Sequence, residues 1–370
     1  MLSPAPPPPE RADGKPKDVS FDREKTMMRL LLTEGYGHEV REGAHVTVHW
    51  SASVPADDGA LAEVFSTEAK HPRGVRFVVG RTLHCEAVER ALIGLKPGSV
   101  LHCFCTDMDA ASCPELGFTP RRLVEGARKV WESPGGPIGV LQGALEPPGM
   151  IAPKPEDTPP RWQPPRSVTQ FHIKLDAATD GPVPMLMDPH ERLQWCHEAK
   201  QWGSELFRRG LYARAMRRYK KTMLDLEIPC QWSEQQNIER NHLRLQAHLN
   251  IAACGLKIPP RPWSHPNLSP PKTYWDPLHD AIFHCTRVLA VDPANVKAYF
   301  RRAQAHLQKP PSEHINGLQL AKEDLKKALE LDPKNVEVRK LYAKAKELQR
   351  EADAKAASVM TKMFQAGDLI

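Results

Sequence analysis

Forty residues separate Asp292-Pro293 from Asp332-Pro333, and the same distance separates Ala281 from Ala321. Throughout the chain beyond Asp188, apolar residues recur with helical spacing and no run alternates as a strand would. A segment that repeats itself in this way is a stack of helix pairs. One pair cannot bury its own apolar face, and the next pair supplies the missing surface. Small and large residues fall where such a stack needs them. Gly203, Gly210, Tyr212, Ala215 and Tyr219 mark a first pair, and Leu249, Ala252 and Ala281 a second. Tyr299, Ala303, Ala321, Leu325 and Ala328 mark a third. Glycine and alanine permit close backbone approach, Gly210 ends a helix, and the tyrosines fill the space between helices.

These positions resemble the tetratricopeptide repeat (TPR), whose period is about 34 residues. The excess over that period is assigned to an insertion around Pro310-Pro311. A larger proline-rich insertion, Pro259 to Tyr274, lies inside the second repeat. The resemblance implies a three-repeat all-α solenoid over residues 188–335. Val336 to about Phe364 then reads as one long charged amphipathic helix, so 336–370 is expected to cap the exposed end of the stack. Met360, Met363 and Phe364 on that helix are candidates for docking a client protein.

Within the repeats, Lys200 and Ser204 are four residues apart, as are Lys297 and Arg301, with Asn250 between the pairs. Spacing of four puts each pair on one helical face. Ammonium, guanidinium and amide donors together suit carboxylates. The set resembles the carboxylate clamp of TPR domains that bind the C-terminal EEVD sequence of heat-shock proteins. That clamp uses Lys and Asn, then Asn, then Lys and Arg, and Ser204 stands at the first Asn, with a shorter side chain and a single donor. The resemblance implies a co-chaperone whose partner is the tail of heat-shock protein 90, with heat-shock protein 70 as a second candidate. The competing reading is a scaffold that binds a non-chaperone peptide.

The first half of the chain is of another kind. His45 to Trp50, Val75 to Val79, Ser99 to Phe104 and Val168 to Leu175 alternate as strands, and Gly and Pro punctuate them. Glu86 to Leu95 reads as a short amphipathic helix ended by glycine. Several strands with one central helix predict a small α+β domain. Its boundaries are expected at 21–178, after a Pro-rich disordered tail at 1–20 and before a linker at 179–187. A long Pro-rich loop occupies 133–166.

Gly43-Ala44-His45-Val46-Thr47-Val48-His49-Trp50 resembles the G-x-x-V-x-V-H-Y strand of the FK506-binding (FKBP) immunophilins. Gly94-Leu95-Lys96-Pro97-Gly98 resembles the turn after their helix, and Phe171 falls on their closing-strand phenylalanine. The resemblance implies a bent antiparallel sheet wrapped on one short helix. Members that isomerise X-Pro bonds do so in a dry aromatic pocket. In this chain the pocket positions are Trp50 for tyrosine, Val64-Phe65 for the F-D pair, His84-Cys85 for V-I, Val88 for the floor tryptophan, and Phe171. The resemblance therefore implies a degenerate pocket that serves client or ligand binding, with no catalytic residue assigned. An active chaperone-tethered peptidyl-prolyl isomerase is the alternative. Cys105, Cys113-Pro114, Pro120-Arg121 and Glu125-Gly126 follow the offsets of the subgroup typified by the aryl hydrocarbon receptor-interacting protein. Val296 to Ala303 is similar to that subgroup's third repeat.

Composition removes other classes. The net charge of +6 is small and scattered, so no nucleic-acid partner is expected. No apolar run is long enough to span a bilayer, no signal core opens the chain, and the eight cysteines form no zinc spacing. No metal, cofactor or stable membrane association is expected. The expected compartment is the cytoplasm, with the nucleus second.

Overall fold

The computed structural model describes residues 17–20, 27–55, 61–81, 84–105, 108–113, 116, 118, 169–259, 276–309 and 316–367. The chain divides into two compact units, Met1–Met187 and Asp188–Ile370. The first is an FKBP-like α+β domain and the second a TPR solenoid that ends in a long helix.

In the first unit the strands are β1 (Lys17–Asp18), β2 (Met27–Thr33), β3 (His45–Pro55), β4 (Leu61–Ser66), β5 (Val75–Val78), β6 (Val100–Cys105) and β7 (Thr169–Ala178). They form one antiparallel sheet in the order β1-β2-β6-β7-β3-β4, and β5 also pairs with β3. The period-two pattern decides which face is buried. Val46, Val48, Trp50 and Ala52 of β3 point inward with Leu101 and Cys103 of β6 and Phe171, Ile173 and Leu175 of β7. The helix α1 (Glu86–Leu92) covers that face with Ala87, Val88, Ala91 and Leu92, all fully buried.

Helix α1 stops three residues before the sequence suggested. Ile93 leaves helical angles and Gly94 takes a positive φ of 76°. Buried Arg29 of β2 then donates to the freed carbonyls of Ala91 and Ile93, at 2.9 and 2.7 Å. A buried arginine on a strand thus becomes the C-cap of a helix. A second turn of helix, α2 (Met108–Ala111), follows β6. The tail expected over 1–20 ends sooner, because Lys17 and Asp18 pair with Arg29 and Met28. The loop at 133–166 and most of the two solenoid insertions lie outside the described residues.

The second unit opens at Asp188, whose side chain accepts from Glu191 N–H while the Glu191 carboxylate accepts from Asp188 N–H. This capping box, with Pro189 as the first helical residue, fixes the start of α3 (Pro189–Arg208). There follow α4 (Tyr212–Glu227), α5 (Glu234–Gly255), α6 (Pro277–Val291), α7 (Val296–Gln308), α8 (Gly317–Leu331) and α9 (Val336–Gly367). Each helix packs on the next, and α5 also packs on α3 and on α7. The first helices of the three pairs therefore lie side by side. The turns after α6 and α8 repeat atom for atom. Asn295 and Asn335 accept from Ala298 and Val338 N–H, and their amides donate to Asp292 and Asp332.

Candidate functional site

All five basic and polar groove candidates lie on those adjacent first helices. Lys200 and Ser204 are on α3, Asn250 on α5, and Lys297 and Arg301 on α7. Lys200 Nζ reaches across to Gln246 Oε1 of α5 at 2.5 Å. Arg301 Nη1 reaches the same helix from the other side and donates to Leu249 O at 2.6 Å. Asn250 is the next residue along α5 and is half-buried. Groups from three repeats thus meet over the 246–250 stretch of one helix. Lys297 is exposed one turn before Arg301. Ser204 Oγ contacts Lys200 O at 3.0 Å and the Tyr219 hydroxyl at 3.1 Å.

The local electrostatics follow from burial. Burial lowers the Arg301 guanidinium below its ordinary value, although neighbouring Cys285, Cys254 and Tyr219 act in the opposite direction. A guanidinium stays charged under such a shift. Burial pushes the Tyr219 phenol up to about 12, while the hydrogen bond to Ser204 and the charge of Arg301 pull it back.

Gln246, Tyr219 and the Leu249 carbonyl were not among the sequence candidates. Gln246 could have been found, since it lies four residues before Asn250 and so shares its face. The carbonyl carried no such signal.

In the first unit the pocket positions converge, but on one another. Trp50 stacks on Phe65 with ring centroids 4.7 Å apart and meets Phe171 edge-on at 5.6 Å. Phe118 joins at 5.9 Å from Trp50 and 5.3 Å from Phe65. Trp50 Nε1 donates to His84 Nε2 at 3.0 Å, which leaves the His84 proton on Nδ1, 3.6 Å from Cys113 Sγ. Trp50 is 2% exposed, Phe118 4%, and Phe171, Cys85 and Val88 fully buried. Val64 packs against this cluster and is partly buried. A cleft of about 590 Å³ opens in the same unit, lined among others by His45, Arg76, Phe77, Arg81 and Glu89 and by His84, which is itself one of the pocket positions.

On α9, Met360 is exposed, and the side chains of Met363 and Phe364 lie outside the described residues. Among the described residues no group of three or more His, Cys, Asp or Glu could hold a metal ion. No described helix is long and apolar enough to cross a membrane.

No family model matches the chain. It is 27% identical over 202 residues to the peptidyl-prolyl cis-trans isomerase FKBP4 of Rattus norvegicus and of Homo sapiens, covering 55% of this chain and 39% of theirs. FK506-binding protein 59 of Drosophila melanogaster matches at 27% over 201 residues, with 54% and 40% covered. The match thus spans about two fifths of the length of these curated relatives. Among solved structures, the C-terminal TPR-containing domain of a Plasmodium falciparum putative FK506-binding protein aligns over 46% of this chain and 99% of its own. That alignment has 24% identity and a TM-score of 0.37.

Proposed function

We propose that this chain is a co-chaperone adaptor whose α3–α5–α7 groove holds the acidic C-terminal tail of heat-shock protein 90. The observation that carries the reading is the convergence of Lys200 and Arg301 on one short stretch of α5, beside Asn250. Two cations already directed at main-chain and amide oxygens of one helix suit carboxylate oxygens. The similarity to FKBP4 and FK506-binding protein 59 supports an immunophilin-type chain. The resemblance to the aryl hydrocarbon receptor-interacting protein subgroup is the finer assignment within it. Heat-shock protein 70, whose tail ends in the same EEVD, is the second partner. The compartment is the cytoplasm, with the nucleus second, and exposed Met360 offers a contact for a client.

The sheet domain serves this adaptor as a binding or spacing module. Its aromatic positions pack against each other, which favours an inactive domain over a tethered isomerase.

The test is calorimetric titration with a ten-residue acidic peptide ending in EEVD, against the same peptide amidated at its C-terminus. The free acid should bind the wild type, and Lys297→Ala/Arg301→Ala should lose about 2–4 kcal/mol of binding. Equal binding of both peptides would assign the groove to an internal, non-chaperone ligand.

A further inference from the structure

One side chain on α5 has hydrogen-bonding capacity to spare, and its atoms can be assigned one by one. Lys200 Nζ lies 2.5 Å from the side-chain amide of Gln246. An ammonium only donates, so the amide atom that faces it is the oxygen, Oε1, and the other branch is the nitrogen, Nε2. That nitrogen carries two hydrogens. It lies 3.1 Å from Nε2 and 3.4 Å from Nδ1 of His242, one turn earlier on α5. An imidazole has one acceptor nitrogen when neutral and none when protonated, so His242 takes one of the two hydrogens at most. At least one Gln246 N–H is therefore uncommitted among the described residues, whichever tautomer His242 holds. Gln246 is half-buried and stands four residues before Asn250, so the two amides share one face of α5.

We infer that Gln246 is a further peptide-binding residue of the groove: its amide N–H donates to a carboxylate of the acidic tail while its oxygen holds the Lys200 ammonium alongside. This rests on the reading of the groove as an acid-binding site. The oxygen and nitrogen of one amide share a carbon, so the ammonium on Oε1 and the N–H on Nε2 lie side by side. A carboxylate, with two acceptor oxygens, accepts from both at once. Gln246 thus supplies from α5 a second amide beside Asn250, where Ser204 on α3 offers only a short hydroxyl.

Titration of the full chain with the free-acid EEVD peptide tests this. Gln246→Ala should weaken binding about ten-fold. Gln246→Glu keeps an oxygen for Lys200 but removes the N–H and adds a negative charge. It should weaken binding further, and the loss beyond that of the alanine variant should shrink in high salt. The Lys200→Ala background separates direct contact from mere positioning of the ammonium, since Gln246→Ala should still weaken binding there by at least about three-fold. Thermal melts show that each variant keeps the fold, and Gln246→Leu, which retains the bulk, replaces the alanine variant if that one unfolds. Wild-type affinity in a folded Gln246 variant, or no effect in the Lys200→Ala background, overturns the inference while Arg301→Ala still abolishes binding. If Arg301→Ala and amidation of the peptide both leave affinity unchanged, the acid-binding reading itself fails and takes the role of Gln246 with it.

Discussion

Gly203 shows how a single position can hold a repeat together. A Cβ at Gly203 would lie 2.7 Å from Cε1 of Tyr219, a ring that is 2% exposed and tied to Ser204. Gly203→Ala should therefore destabilise the second unit by about 1–3 kcal/mol, despite the better helix propensity of alanine. The midpoint of urea unfolding measures this, and an unchanged midpoint would mean that the ring yields freely. The role of Gly203 was legible from the repeat pattern, which demands a small residue where α3 crosses α4. The partner of Ser204 was not legible, because spacing along one helix reports the face of a residue and nothing about what lies opposite. Lys200 and Gln246 are 46 residues apart, and Arg301 and Leu249 are 52 apart.

At the scale of elements, the α5–α6 pair contains a feature that helical periodicity does not reveal. His248 and His284 are buried with Nδ1 atoms 2.7 Å apart, so one ring donates and the other accepts. Burial holds both well below the usual histidine range, at about 4. The charges of Arg244 and Arg287 add to this at His248 against Glu227. At His284, His248, Lys220 and Arg287 add to it against Asp280. In the unfolded chain both rings titrate near 6.5. The unfolded state therefore takes up protons first. The stabilisation is complete above about pH 6.5 and declines as the pH falls toward about 4. Thermal melts between pH 7.5 and 4.5 should show a steep loss of stability in the wild type. His284→Gln should flatten that slope while costing about 1–2 kcal/mol at neutral pH. Parallel slopes in the two proteins would remove the pair as the cause.

At the scale of the whole molecule, the two units differ in what their interiors leave open. The sheet domain spends its aromatic residues on its own core, with Trp50 in contact with Phe65, Phe118 and Phe171. Full-length protein should accelerate X-Pro isomerisation in a peptide by less than about two-fold over the uncatalysed reaction, whose barrier is about 18–20 kcal/mol. Turnover like that of an ordinary immunophilin would show that the cluster opens. Restoring an indole with Val88→Trp should not rescue activity, because Val88 is fully buried and a larger side chain there overpacks the core.

The sequence alone determined the order of parts. Alternation in β3, β6 and β7, the glycine after α1, and the recurrence of Asp-Pro forty residues apart are local patterns, and local geometry obeys them. Only the tertiary structure decided that Trp50 packs against Phe65, Phe118 and Phe171 and that Arg29 caps a helix. It likewise decided that Lys200 and Arg301 meet over α5. Those outcomes depend on side chains from distant segments competing for the same volume and the same hydrogen-bond partners. That competition is settled by packing, which no periodicity encodes.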